Sequence, residues 1–185
     1  MPIRLKPTLR DVLTEADRPL AGMWVSSGSA VVAEICAGSG LDWILIAMEH
    51  GPNGLESVLA QLHAVAAYDI IPAVRVPSAD ATVLKQVLDI GAQTVIVPMI
   101  SSAAEAAAAV TAVRYPPRGI RGVGSALARS GRWNRVDDYL AHADAHVSLF
   151  MQIESSAGVE AAGEIAAVDG VDGVFVGPSD LAASM

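Results

Sequence analysis

The chain has 185 residues, of which 52% are hydrophobic, 17% charged and 4% aromatic, and its formal net charge is −8. That length allows one domain with a sizeable core, and the apolar content speaks against disorder. The acidic balance speaks against nonspecific nucleic-acid binding and against an anionic membrane surface, because phosphate contacts need clustered Lys and Arg. An anionic substrate would need local positive charge, from an arginine or a metal.

The first residues, MPIRLKPTLRDVLTEADRP, carry charges throughout and have no apolar h-region, so they do not read as a signal peptide. No apolar run approaches the ~20 residues of a spanning helix, and a cytoplasmic enzyme is expected. Short apolar runs then alternate with longer amphipathic ones. The pattern predicts strands over residues 21–26, 43–48, 71–76, 94–99, 147–153 and 173–176, with helices over 30–38, 55–67, 79–90, 103–114 and 158–167 between them. Helices ending at Gly, as in AEICAGSG and LDIGAQ, fit left-handed termination before the next strand. The single cysteine, Cys36, allows no intrachain disulfide and reads as a packing residue of the first of these helices. Strands alternating with helices imply βαβ units and a parallel sheet, whose strands must be apolar on both faces.

One connection is too long for a simple αβ loop. GIRGVGSALARSGRWNRVDDYLAHADAH separates the fourth helix from the fifth strand. Its Gly and Arg content suits a closing or anion-facing loop, and a surface excursion with a short helix over 136–143 suits it equally. Six strands are countable, and the sequence stops at GPSDLAASM as a sixth helix begins. A closed (β/α)₈ barrel has eight strands and about 250 residues. The expectation is a single α/β barrel domain over residues 1–185, an incomplete TIM barrel of about six βα units with its C-terminal units missing. An open doubly wound sheet is the alternative.

In barrels, chemistry is placed at the C-terminal ends of the strands. Those positions hold Trp24, then Glu49 and His50, Arg75, Pro98 and Met99, Gln152 and Glu154, and Gly177 to Asp180. Glu154 and Asp180 follow neighbouring strands, where two carboxylates can hold one hard cation that polarises a carbonyl. Asp180 could instead cap the helix it precedes. His50, at a strand tip before a Gly-Pro turn, suits proton transfer beside a carbonyl, although a lone His is more often structural. Arg75 in an apolar strand needs a partner. It is either a salt bridge to Glu49 or Glu154 or a clamp for a carboxylate or enolate oxygen. Lys85 is the only lysine beyond the N-terminal segment and lies in a helix, which argues against Schiff-base chemistry.

The stretches GMWVSSGSAVVAEICAGSGLDWILI, EHGPN, PAVRVP, LKQVLDIGAQTVIVPMI, RYPPRGIRGVGSALARSGRWN, QIES and VDGVFVGPSDLAAS resemble the HpcH/HpaI aldolase family, grouped with the citrate lyase β-subunit superfamily. The resemblance runs from about Leu20 to Met185. It implies a class II aldolase that reversibly cleaves a 4-hydroxy-2-oxo acid to pyruvate, or a close 2-oxo acid, and an aldehyde. It implies that Glu154 and Asp180 hold Mg²⁺, Mn²⁺ or Co²⁺, that His50 accepts the proton and that Arg75 stabilises the enolate charge. Trp24, Gln152, Gly177, Ser179 and Asp180 would contact substrate, and Glu49 would line the site or hold metal-bound water. Asp89 matches the residue that raises the basicity of the His, supplied from a neighbouring subunit of a homohexamer, a trimer of dimers. Two departures stand out: Ala47-Met48 replaces Asp-Gly before Glu49-His50, and the family continues for roughly another quarter. The alternatives are an acyl-CoA lyase of the citrate lyase β-subunit type and an inactive or truncated metal-binding relative.

Overall fold

The computed structural model describes residues 3–185. Its elements in chain order are α1 (Leu9–Glu15), β1 (Gly22–Val25), α2 (Ala30–Ala37), β2 (Trp43–Ala47), α3 (Leu55–Ala64), β3 (Ile71–Arg75), α4 (Ala81–Asp89), β4 (Thr94–Val97), α5 (Ala103–Val113), α6 (Tyr139–His142), β5 (Ser148–Ile153), α7 (Ser156–Glu160), α8 (Ala162–Ala166), β6 (Gly173–Val176) and α9 (Pro178–Ser184). All six strands pair in parallel, in the order β1-β2-β3-β4-β5-β6. A doubly wound sheet reverses its strand order at a switch point, and this one never does. The order is that of a barrel, lacking closure between β6 and β1.

The sheet curls as a barrel wall does. The edge strands β1 and β6, each paired on one side only, carry Trp24 and Phe175, whose rings meet edge to face at 6.0 Å. Alternation along each strand separates two layers. Leu45, Ala73, Ile96 and Phe150 point inward and pack with Leu9 of α1. Ile46, Val74, Val95, Val97 and Met151 point outward against α3, α4 and α5. The strands β2 to β5 are buried along nearly their whole length, whereas the edges β1 and β6 are largely open.

Three local expectations are refined. Helix α1 carried no helical expectation. It starts in a reciprocal capping box of Thr8 and Asp11, and the Leu9 N–H donates to Thr94 Oγ1 at 3.0 Å. Thus α1 plugs the N-terminal mouth of the barrel. The helix expected over 158–167 breaks at Ala161 into α7 and α8. The long connection contains the one-turn α6 and a 3-10 turn over Ala143–His146, and otherwise holds irregular backbone with four left-handed non-glycine residues, Arg132, Trp133, Asn134 and Asp138. Cys36 is partly buried and packs on the cluster under α2. Among the described residues no helix is long and apolar enough to cross a membrane.

Candidate active site

Four of the six strands, β1, β2, β3 and β5, direct a polar or aromatic side chain, and α9 its first turn, to the C-terminal mouth of the sheet. Glu154, one residue past β5, is 2% exposed. The Met99 N–H donates to its Oε1 at 2.7 Å, and the Gln152 amide donates to its Oε2. Met99 reaches it by adopting φ 57°, a left-handed conformation that costs a side-chain-bearing residue energy and recurs where a site is held by strain. The sequence marks Met99 as a strand-end residue but not for this backbone role, because Met has no preference for that conformation.

Gly177 completes this corner. A Cβ there would lie 2.5 Å from Glu154 Oε2 and 2.7 Å from Gln152 Nε2. The glycine is required by proximity, since its φ of −97° is ordinary. It is the N-cap of α9, with Pro178 opening the helix and Asp180 in the first turn. Asp180 forms no cap hydrogen bond, so the capping reading gives way to an exposed carboxylate facing the mouth. Ser179 is exposed beside it.

Arg75 closes β3 at 4% exposure. Its Nη1 lies 2.9 Å from Glu49 Oε2, and its guanidinium carbon stands 4.6 Å from the centre of the Trp24 ring. The contact to Glu49 lacks hydrogen-bond geometry, leaving Glu49 Oε2, Arg75 Nε and Gln152 Oε1 as buried polar atoms without a protein partner. Buried polar atoms are normally satisfied, so three around one mouth point to a ligand. Burial pushes the Glu49 carboxyl above its ordinary range, against the pull of Arg75, with further upward pressure from Glu154 and Asp180. Three carboxylates thus share one electrostatic neighbourhood. Ala47 is fully buried and registers with Arg75 across β2 and β3, so Arg75 leans on Glu49 and Trp24 instead of on a residue-47 acid.

The turn after β2 presents His50. Asn53 Nδ2 donates to Ala47 O at 2.8 Å, and Gln61 Nε2 donates to Asn53 Oδ1 at 2.6 Å, tying the turn to α3. The His50 side chain is 65% exposed, with Nε2 4.0 Å from Glu49 Oε2. It is free to reach a substrate or a second chain.

Asp89 is not brought to this mouth. It ends α4 at the opposite end of the barrel, where Arg121 Nη2 donates to it at 2.7 Å. Lys85 lies on α4 as well, away from the strand tips.

The donor set fits a hard divalent cation. Among the described residues, no Lys, Arg or His lies within ion-pair distance of the buried Glu154 carboxylate, and an uncompensated buried charge is costly. No cluster of three or more His, Cys, Asp or Glu positioned to hold a metal exists among the described residues, so a cation here would draw the rest of its oxygen shell from water and substrate.

The chain has close relatives. It is 52% identical to a hydroxypyruvate/pyruvate aldolase of Deinococcus radiodurans over 187 residues, covering 100% of this chain and 67% of the relative. It is 49% identical to a 4-hydroxy-2-oxo-heptane-1,7-dioate aldolase of Salmonella dublin over 181 residues, covering 98% and 68%. A solved structure of an HpcH/HpaI aldolase/citrate lyase family protein from Burkholderia cenocepacia superposes with a TM-score of 0.90 at 43% identity, over 95% of this chain and 70% of that one. The chain therefore spans about two thirds of the length of these relatives. The family model for HpcH/HpaI aldolase/citrate lyase matches residues 20–185, and with these relatives it shows that the chain belongs to the HpcH/HpaI aldolase/citrate lyase family.

Proposed function

We propose that this chain carries the 2-oxo-acid half of a class II aldolase site, in which Glu154 and Asp180 hold Mg²⁺, Mn²⁺ or Co²⁺. The observation that carries this reading is the buried Glu154 carboxylate, oriented by the Met99 N–H and the Gln152 amide but lacking a cation among the described residues. When bound, the metal supplies Lewis-acid polarisation of the 2-oxo carbonyl.

The protein side chains divide the remaining work. Arg75, anchored by Glu49 and Trp24, offers its unsatisfied Nε to the 2-oxo acid and balances negative charge that builds on the oxo oxygen during C3–C4 cleavage. Gln152 and Gly177 shape the floor, and Ser179 and the start of α9 face the substrate carboxylate. His50, exposed at the strand tip, takes the 4-hydroxyl proton, directly or through water, and the aldehyde leaves toward the open side of the mouth. Asp89 would act on the His50 of a neighbouring subunit in a homo-oligomer, since within one chain it lies at the far end of the barrel. Relatives are named for both pyruvate and hydroxypyruvate, and either fits a site that grips only the oxo and carboxylate oxygens.

Pyruvate release from a 4-hydroxy-2-oxo acid tests this reading. EDTA should abolish activity and added Mg²⁺, Mn²⁺ or Co²⁺ should restore it. Glu154→Gln should lower kcat/KM by more than about 100-fold, because loss of even an outer partner of a metal ligand costs 10–100-fold. Full activity after EDTA treatment, or turnover of a CoA thioester in place of the hydroxy-oxo acid, would overturn it.

A further inference from the structure

The opposite end of the barrel holds a cavity of about 240 Å³ between the start of β3, the end of α3 and the N-terminal segment. Four cationic side chains line it: Arg4, Lys6, Arg129 and Arg132. Among the described residues no carboxylate lies within ion-pair distance of any of the four, in a chain whose net charge is −8. Their visible partners are backbone carbonyls. Arg129 donates to Ile90 O at 3.2 Å and to Leu62 O at 3.4 Å, Arg132 donates to Arg129 O, and Lys6 donates to Tyr68 O.

The backbone is shaped around this cluster. Arg132, Trp133 and Asn134 are three consecutive left-handed residues, a conformation that side chains avoid. Ile3 N–H donates to Arg135 O at 3.2 Å, which brings the N-terminal segment with Arg4 and Lys6 beside that turn. Gly91, at φ +100°, leaves the space that both guanidiniums use, since a Cβ there would strike Arg129 Nη1 and crowd Arg132 Nη1. Burial, and then the neighbouring Arg132, pull the Arg129 guanidinium down to about 10, and no carboxylate opposes this. Burial followed by Arg129 and Arg132 likewise lowers the His63 imidazole at the edge of the same region. Like charges held together and partly desolvated repel one another, and an anion placed among them relieves that repulsion.

We propose that Arg4, Lys6, Arg129 and Arg132 form a binding site for a small phosphate-bearing anion at the barrel end opposite the aldolase mouth. Three guanidinium forks and an ammonium match the several oxygens and double charge of a phosphate group better than a single carboxylate. Leu62 and Ile71 in the wall give room for a short carbon portion of a phosphate monoester. The site uses no residue of the aldolase machinery, and its ligand ties the long 119–138 connection to the N-terminal segment.

Calorimetric titration of the metal-loaded protein with inorganic phosphate and with glycerol 3-phosphate, against chloride at matched ionic strength, tests the site. The expected result is saturable binding, weakened about tenfold in Arg132→Gln and in Lys6→Gln, the loss of one charge-assisted hydrogen bond each. Tighter binding of glycerol 3-phosphate would assign the monoester as ligand, and equal binding the free ion. NMR titration of His63 should show its imidazole pKa rising when phosphate is present, a readout that does not depend on Arg132→Gln folding well. Absence of saturable binding, or binding unchanged in both variants, would overturn the proposal. Phosphate binding only to dissociated monomers would also overturn it, by assigning the arginines to a contact between chains.

Discussion

Gly177 has no room for a side chain, and the reason is chemical. The carboxylate of Glu154 and the amide of Gln152 occupy the space where a Cβ would go. Gly177→Ala should therefore push Glu154 off its Met99 and Gln152 contacts while leaving the core untouched. The expected outcome is metal affinity reduced by about 10–100-fold, as for other losses of ligand orientation, with nearly unchanged thermal stability. Metal titration by calorimetry, beside a melting curve, separates the two effects. Unchanged metal affinity would mean that Glu154 is not a ligand or that the corner relaxes. Glu154, Asp180, Arg75 and His50 were all legible as strand-end residues, because the C-terminal ends of barrel strands follow from the alternation of apolar runs alone. Met99 was not legible in this role, since it acts through its backbone N–H. Its left-handed conformation is imposed by the surrounding structure, not by Met.

At the scale of elements, α1 shows what a reading built on apolar periodicity passes over. Its seven residues bury little of themselves, and only Leu9 is fully inside. Their value lies in position: the Thr8–Asp11 capping box starts the helix, and the Leu9 N–H reaches Thr94, which in turn lies 3.0 Å from Ser148 Oγ across β4 and β5. Thr8→Ala should remove the cap bond and leave the Asp11 N–H unsatisfied. It should destabilise the chain by about 0.5–2 kcal/mol, a few degrees of melting temperature at this size, without changing KM for the 2-oxo acid. A fall in activity at unchanged stability would tie α1 to the chemistry instead. The strands themselves were well placed by the sequence, with boundaries one or two residues too generous at their ends. The break of the last full helix at Ala161 was not foreseen, because Gly158 and Gly163 weaken the helix without dictating where it parts.

For the whole molecule, two features bear on the proposed homo-oligomer. The edge strands β1 and β6 each lack a partner on one side and carry exposed Met23, Val174 and Val176, surfaces that parallel sheets normally cover. Asp89 and His50 lie at opposite ends of the barrel, so any joint role requires two chains. Mixing inactive His50→Ala with inactive Asp89→Asn and allowing exchange should regenerate sites with His50 from one chain and Asp89 from another. Recovered pyruvate release above that of either variant alone checks this, and no recovery would remove Asp89 from the mechanism.

The sequence by itself determined the parallel α/β architecture, the strand ends that bear chemistry and the family of the chain, because periodicity and local motif are properties of short segments. Tertiary structure decided what those segments do together. It bore out the expected barrel order over the doubly wound alternative, through register and curl that depend on pairing between distant strands. It also set Arg75 on Glu49 and Trp24, wound Met99 toward Glu154, and turned Arg129 and Arg132 inward at the far end, all contacts between residues that no local pattern links.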